Sequence, residues 1–306
     1  MNKVLVCLLL VVLAFPAAAQ PLGERVGPQF PFLSTNARSG ALGDASGSLL
    51  GSFAGVEVNP ATLAFLSASS IDYSFNRISE SVSLQHLGGA FMGGAGLGFS
   101  AGVDMLHFGD FNFYSDGKLR DLGFEIAGRI GFGMMVGEDL SAGLALQLYN
   151  ATTDTNAVWG VAGDLGFSYA PAQYYRFGLA LRGVGSDYEI GNHVLAPDKE
   201  DPKIPRRVVL GVVFEYPIGL RGGKFLAAFE NEKILGERGI LYKLGVEYSP
   251  ATAIAFRVGS KVRGDEIEPS AGLGLGVAGI SLDYAYRYSR RDERPSHLIT
   301  LGVSWR

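Results

Sequence analysis

Past residue 19 the chain has no cysteine, no long apolar run and no cluster of basic residues, and each absence removes a class of protein. The one cysteine, Cys7, lies in the leader described below. The mature chain therefore has no disulfide framework and no thiol chemistry. With no uninterrupted apolar stretch of helical spanning length after the leader, a helical membrane protein is excluded. The chain carries 26 basic and 30 acidic residues for a formal net charge of −4, and with no basic patch nucleic acid is not expected as a partner. There is no G-x-S-x-G nucleophile motif. The four histidines, His86, His107, His193 and His297, are scattered without metal-ligand spacing and read as surface or rim residues, so no zinc site is expected. No cofactor is implied, and the chain reads as a non-enzyme.

What the sequence does have is glycine, 43 residues in 306, and a hydrophobic content of 47%. It opens with Lys3, an apolar run from Val4 to Phe15, and Ala17-Ala18-Ala19. That is the order of a secretory signal peptide, with cleavage expected after Ala19. Three segments follow from this reading: a signal peptide at 1–19, an N-terminal periplasmic segment at 20–68, and a wall of strands at 69–306.

The later segment has a period of two. In 279–288, GISLDYAYRY, residues Ile280, Leu282, Tyr284, Tyr286 and Tyr288 share one face, and Ser281, Asp283, Ala285 and Arg287 the other. In 253–262, Ile254, Phe256, Val258 and Val262 oppose Ala255, Arg257, Gly259 and Lys261. Such alternation marks strands. A soluble β-sandwich alternates too, but three features favour a membrane barrel. The polar face is small, with scattered charges: Glu125, Arg129, Asp164, Arg176, Arg182, Lys243, Glu247, Arg257, Asp283 and Arg287. This suits a lumen, where the charges are expected chiefly to pair with one another. The apolar face carries aromatics near strand ends, among them Tyr169, Tyr248, Tyr288 and Trp305, as an interfacial girdle requires. The strands are also long, roughly 9–13 residues, as a tilted span needs.

The fold class expected is therefore all-β, an antiparallel transmembrane β-barrel of about 14 strands with an N-terminal hatch. Strand starts fall near residues 69, 80, 94, 121, 139, 157, 174, 206, 223, 239, 253, 268, 279 and 296. Connections after even-numbered strands are tight, and those after odd-numbered strands include the long polar ones at 109–120, 185–205, 231–238 and 289–295. Short periplasmic turns and longer external loops are the rule for outer-membrane barrels, which places the protein in the cell outer membrane with lipid as its surroundings. Gly274-x-Gly276-x-x-Gly279 matches a dinucleotide fingerprint on paper, but strand alternation flanks it on both sides. It reads as small lumen-facing residues followed by a hairpin turn.

Residues 20–68 are too apolar for a free tail and too weakly alternating for wall strands. A barrel of this size has a lumen that needs filling, and this segment is its expected plug. Small residues from Ala37 to Ala45 let the backbone lie close to the wall. Asn59-Pro60 sets a bend, and a short helix over Ala61–Leu66 starts there with Pro60 at its first position.

The segment Phe32-Leu33, Ala37-Arg38-Ser39-Gly40-Ala41-Leu42-Gly43 and Asn59-Pro60-Ala61-Thr62-Leu63-Ala64 resembles the start of the PorV/PorQ family, part of the wider FadL-like group of outer-membrane barrels. The resemblance covers about residues 30–66 and implies fourteen strands with a hatch. Asp44 and Thr62 stand where that pattern usually has glycine, and the stretch 49–55 lacks its usual acidic pair. The resemblance implies an accessory role in type IX protein secretion or surface attachment, with secretion-system proteins or secreted cargo as partners. The loop 109–120, with Phe111, Phe113 and Tyr114 amid charged residues, and the proline-bearing loop 185–205 are the candidate contact surfaces. The alternative is a FadL-type channel taking up a hydrophobic small molecule, which needs an apolar pocket. The charged, glycine-rich inward face argues against that alternative, although Phe53, Leu63 and Phe65 of the hatch are available to line one.

Overall fold

The computed structural model describes residues 33–109, 112–115, 118–121, 123–152, 157–185, 189–190, 204–218, 223–250, 253–289 and 294–306. The expected signal peptide lies outside the described residues, as do Phe32, Phe111 and His193.

The described residues begin with two short helices, α1 (Ala37–Ala41) and α2 (Phe53–Val56), and a 3-10 helix (Pro60–Phe65). Seventeen strands follow among them. They are β1 (Ser69–Arg77), β2 (Ser83–Gly94), β3 (Leu97–His107), β4 (Asn112–Ser115), β5 (Lys118–Asp121), β6 (Phe124–Met135), β7 (Leu140–Thr152), β8 (Ala157–Ala172), β9 (Tyr175–Gly185), β10 (Glu189–Ile190), β11 (Arg207–Ile218), β12 (Gly223–Ile234), β13 (Leu241–Ser249), β14 (Ile254–Arg263), β15 (Glu266–Val277), β16 (Ile280–Ser289) and β17 (Arg294–Trp305). Fourteen of them make the wall. Each wall strand pairs antiparallel with its neighbours in the chain, and β17 returns to β1, from Ser69 opposite Trp305 to Arg77 opposite His297. The sheet is thus closed and has no edge to protect. Of the other three strands, β4 and β5 form a separate hairpin in the loop after β3, and β10 extends the wall sheet by two residues paired with β8.

The wall strands start within three residues of the positions the alternation predicts. Turns at one end are tight: Ala95-Gly96 and Ala278-Gly279 bridge their strands with all four residues at positive φ. Connections at the other end are longer, including 78–82, 108–123 and 235–240. The two-residue turn Gly264-Asp265 breaks this asymmetry, because Gly264 takes φ +58 and closes a hairpin there without a loop.

Outward positions are occupied by large exposed apolar side chains such as Ile71, Leu87, Ile130, Leu144, Val258 and Leu301. In water such a belt would far exceed the apolar patch that a monomer tolerates; against hydrocarbon it is the required surface. Aromatics flank the belt. At the tight-turn end Phe91 packs on Trp305 and Tyr175 on Phe214, while Trp159, Tyr286 and Tyr288 stand toward the other end. Among the described residues no helix is long and apolar enough to cross a membrane.

Candidate functional site

Inside the barrel, residues 33–66 are almost entirely buried. Two stripes of wall glycine make this possible. On one side Gly98, Gly133, Gly143 and Gly166 stand opposite one another across β3, β6, β7 and β8. A side-chain carbon at Gly133 would lie 2.8 Å from Leu63 Cβ, and one at Gly143 only 2.6 Å from the Pro60 carbonyl oxygen. Facing them, Gly245 of β13 is paired with Gly259 of β14, and a carbon at Gly245 would lie 2.7 Å from Leu42 Cβ. The glycine-rich inward face is therefore the bed of the hatch and not the lining of an open pore.

The hatch motif holds itself and the wall by named contacts. Asn36 caps α1 by accepting from the Arg38 amide, and the Ala37 amide donates to Thr300 Oγ1 at 2.8 Å. Arg38 donates to both carboxylate oxygens of Glu247, which also accepts from Arg257. Ser39 donates to Asp44, and Gly40 lies against Leu298 and Ala285. The Ala41 carbonyl accepts from Ser270, Leu42 is fully buried, and Gly43 takes φ +62 against the Ser260 backbone. Asn59 caps the 3-10 helix through the Ala61 amide, while its Nδ2 donates to the Gly47 and Phe167 carbonyls and to Ser168. Pro60 occupies the first turn, as the sequence predicts, and the Ala61 carbonyl accepts from Ser141.

Asp44 and Thr62, the two residues that depart from the pattern the hatch resembles, have roles here. Asp44 sits at φ +59, a conformation that suits glycine and is tolerated by Asp. It pairs with Lys261 and with Arg287. Burial alone would push its carboxyl up, but Lys261, Arg287 and Lys243 outweigh burial and hold it well below the usual carboxylate range. Burial likewise opposes the charge on Arg38, and Glu247 more than offsets it. Thr62 is fully buried and donates to the Asn59 carbonyl at 2.8 Å.

The inward charges named from the sequence fall into separate groups. Arg129 and Arg182 flank Asp164, and both donate to the Glu57 carbonyl of the hatch. Arg257 links Glu247 to Asp283. Lys243 bridges Glu230 and Glu232, with Arg207 beside the latter, and Glu230 also accepts from the Gly47 amide. Arg176 pairs with Glu215 at the tight-turn end, while Glu125 shares the inward face of β6 with Ala127 and Arg129. Glu57, Asp104, Glu230, Glu232 and Arg207 were not singled out from the sequence. Asp104 lay within visible alternation, but the others needed the hatch or the ring closure to show their partners. Of the loop candidates, Phe113 and Tyr114 lie on β4, their backbone opposite Arg120 and Leu119.

Two expectations are corrected. His86 is not a rim residue: it alternates with Leu84 and Gly88 on the inward face of β2 and is 1% exposed. Nor is the inward face free of apolar surface. Toward the loop end, Leu84, Leu106, Ala127, Tyr149 and Ala162 pack together with Ile204 and, from the segment before α1, Leu33. Phe53 and Leu63 of the hatch pack with Val56 and Ala90, and Phe53 also borders the cavity at the tight-turn end. The lumen is thus layered, with an apolar tier at the loop end, a charged tier around Glu57 below it, and the hatch on its glycine bed. A cavity of about 400 Å³ lies beneath, at the tight-turn end, lined by Arg38, Phe53, Asp72, Arg257, Asp283 and others.

No family model matches the chain, and no curated protein matches it. Solved structures do share its fold. The toluene transporter TodX of Pseudomonas putida matches with TM-score 0.60 at 13% identity, covering 92% of this chain and 99% of its own. The toluene transporter TbuX of Ralstonia pickettii matches at 0.56 and 14% identity, covering 90% and 100%. A FadL homologue of Pseudomonas aeruginosa matches at 0.56 and 12% identity, covering 89% and 98%. The closed antiparallel barrel is the fold this chain has in common with these three structures.

Proposed function

We propose that the protein is an outer-membrane channel for a small hydrophobic molecule, entering from the loop end. The observation that carries this is the apolar tier of Leu84, Leu106, Ala127, Tyr149 and Ala162, which faces the lumen and not the lipid. Inward side chains gain nothing from the bilayer, and charged or small ones suffice to bed a hatch. The tier is packed shut here, with Leu84 and Leu106 each 1% exposed; parting it would uncover apolar surface on which an apolar solute gives up its water, worth roughly 25 cal/mol per Å² covered. The transporters of toluene that share the fold support the reading. Release toward the periplasm has to pass the hatch, which polar contacts and apolar packing together hold on the wall. The type IX reading has its support in the resemblance of residues 30–66, and the identities of those residues are already accounted for by docking the hatch.

The test is uptake of a radiolabelled monoaromatic hydrocarbon into proteoliposomes holding the mature protein, compared with Leu84→Asn and Leu106→Asn. Uptake above that of empty vesicles, lowered several-fold by both substitutions, is expected. Equal uptake with and without the protein would overturn the reading. Affinity isolation from mildly solubilised membranes separates the alternatives: recovery of export proteins in stoichiometric amount would favour the secretion role.

A further inference from the structure

Where hatch and wall meet below the apolar tier, three metal-ligating side chains converge. His86 on β2 and Asp104 on β3 stand directly opposite in register, with Nδ1 2.6 Å from a carboxylate oxygen of Asp104. Glu57 reaches them from the hatch, and one donor atom from each of the three lies within 4.8 Å of the others. Glu57 is held in place by its own surroundings: its carbonyl accepts from Arg129 and Arg182, and its carboxylate accepts from Thr35 at 3.2 Å.

The imidazole is buried and incompletely used. Its Nε2 has no hydrogen-bond partner although His86 is only 1% exposed. A buried polar atom left unpaired is costly and calls for an explanation. Gly88 and Gly102 flank the ring; a carbon added at Gly88 would lie 2.6 Å from Nε2 and one at Gly102 3.3 Å from Cε1. The Phe53 ring closes the hatch side at 5.3 Å. The neighbouring guanidinium of Arg129 is directed elsewhere, to the Glu57 carbonyl and to Asp164 at 3.2 Å.

We propose that Glu57, His86 and Asp104 form a binding site for a divalent metal ion of the zinc class, which ties the hatch to β2 and β3. One imidazole and two carboxylates are a mixed nitrogen and oxygen set suited to such an ion. Two carboxylates and a neutral imidazole balance its double charge; an imidazole that starts protonated on both nitrogens gives up one proton as the metal enters and keeps the other. Donors around a tetrahedral zinc ion lie roughly 3.3 Å apart, so the three need only small side-chain movements to reach it. Because one ligand belongs to the hatch and two to the wall, the ion would act as a removable latch. The site stands on its own geometry and does not depend on what the channel carries.

The mature protein in detergent micelles, stripped with a chelator and then equilibrated with Zn²⁺ alone, is the system for the test. Metal content is read by mass spectrometry after removal of free ion. One bound equivalent per barrel is expected. His86→Ala should lose it, Glu57→Gln should weaken it about ten-fold or more, and His107→Ala should leave it unchanged. A thermal transition raised by Zn²⁺ in the wild type and not in His86→Ala is the second expected readout. Wild-type binding no tighter than that of His86→Ala would overturn the proposal, as would binding lost in His107→Ala. If His86→Ala does not form a heat-modifiable barrel, Glu57→Gln decides, since its residue lies on the hatch and leaves all fourteen wall strands intact. Zinc held as tightly by that variant as by the wild type would sink the latch.

Discussion

Arg38 of the hatch meets Glu247 of β13 through two parallel hydrogen bonds, from Nε at 2.8 Å and Nη2 at 2.9 Å. Such forked pairs fix orientation as well as distance. This one joins residues 209 positions apart in the chain, and Arg257 holds the same carboxylate from the wall side.

Without Arg38, Glu247 keeps Arg257 as a partner but loses two charged hydrogen bonds to the hatch. Arg38→Met should therefore weaken hatch docking by about 1.5–3 kcal/mol while the wall persists. Limited proteolysis should then cut within residues 33–66, and ion conductance across planar bilayers should rise above the wild-type level. Unchanged conductance would mean that this pair does not hold the hatch.

The glycine bed makes a contrasting pair of predictions. Gly245→Ala puts a methyl group against Leu42 and should cost roughly 1–3 kcal/mol of hatch docking. Gly128→Ala, on β6, meets nothing within 4 Å and should be silent. Equal proteolytic sensitivity of the two variants would count against the bed.

Asn59 is the pivot of the second hatch motif. Asn59→Ala removes a cap and three Nδ2 contacts, leaving the Gly47 carbonyl without that donor. A loss of about 2–4 kcal/mol is expected. The measurement is hydrogen exchange of the Ala61 and Thr62 amides, which should speed up while strand amides in β13 and β14 do not.

Asp44 ties the hatch to Lys261 and Arg287, and its carboxyl is held below the ordinary value of about 3.9. A depressed carboxylate contributes stability that is fully present above its unfolded value and is lost as pH falls through the folded one. This anchor should therefore survive mild acid and fail only well below pH 4 or so. In Asp44→Asn that acid-dependent step in hatch protection should vanish, whereas a step retained at the same pH would assign it to another group.

The legible parts of this protein are those set by neighbours in the chain. Strand starts could be placed because alternation between, for example, Leu282, Tyr284 and Tyr286 outward and Asp283 and Arg287 inward repeats every two residues. Turns could be placed because Ala278-Gly279 and Ala95-Gly96 interrupt that repeat. Asn59-Pro60 announced a bend and a helix start by itself, and the helix is there, wound as 3-10.

What alternation does not carry is which inward residue meets which. Gly98, Gly133, Gly143 and Gly166 are ordinary small residues along four separate strands, and only the register lines them up beneath Pro60 and Leu63. His86 and Asp104 read as one polar position each, and Glu57 as a loop residue; seating the hatch brings them together. The sequence by itself determined the strands, their faces and the side from which the loops rise, since a pleat reverses each residue in turn wherever it lies. The closed wall decided the docking of the hatch, the layering of the lumen and the three-residue cluster. Those depend on distances between segments up to 263 positions apart, such as Ala37 and Thr300, which no local pattern encodes.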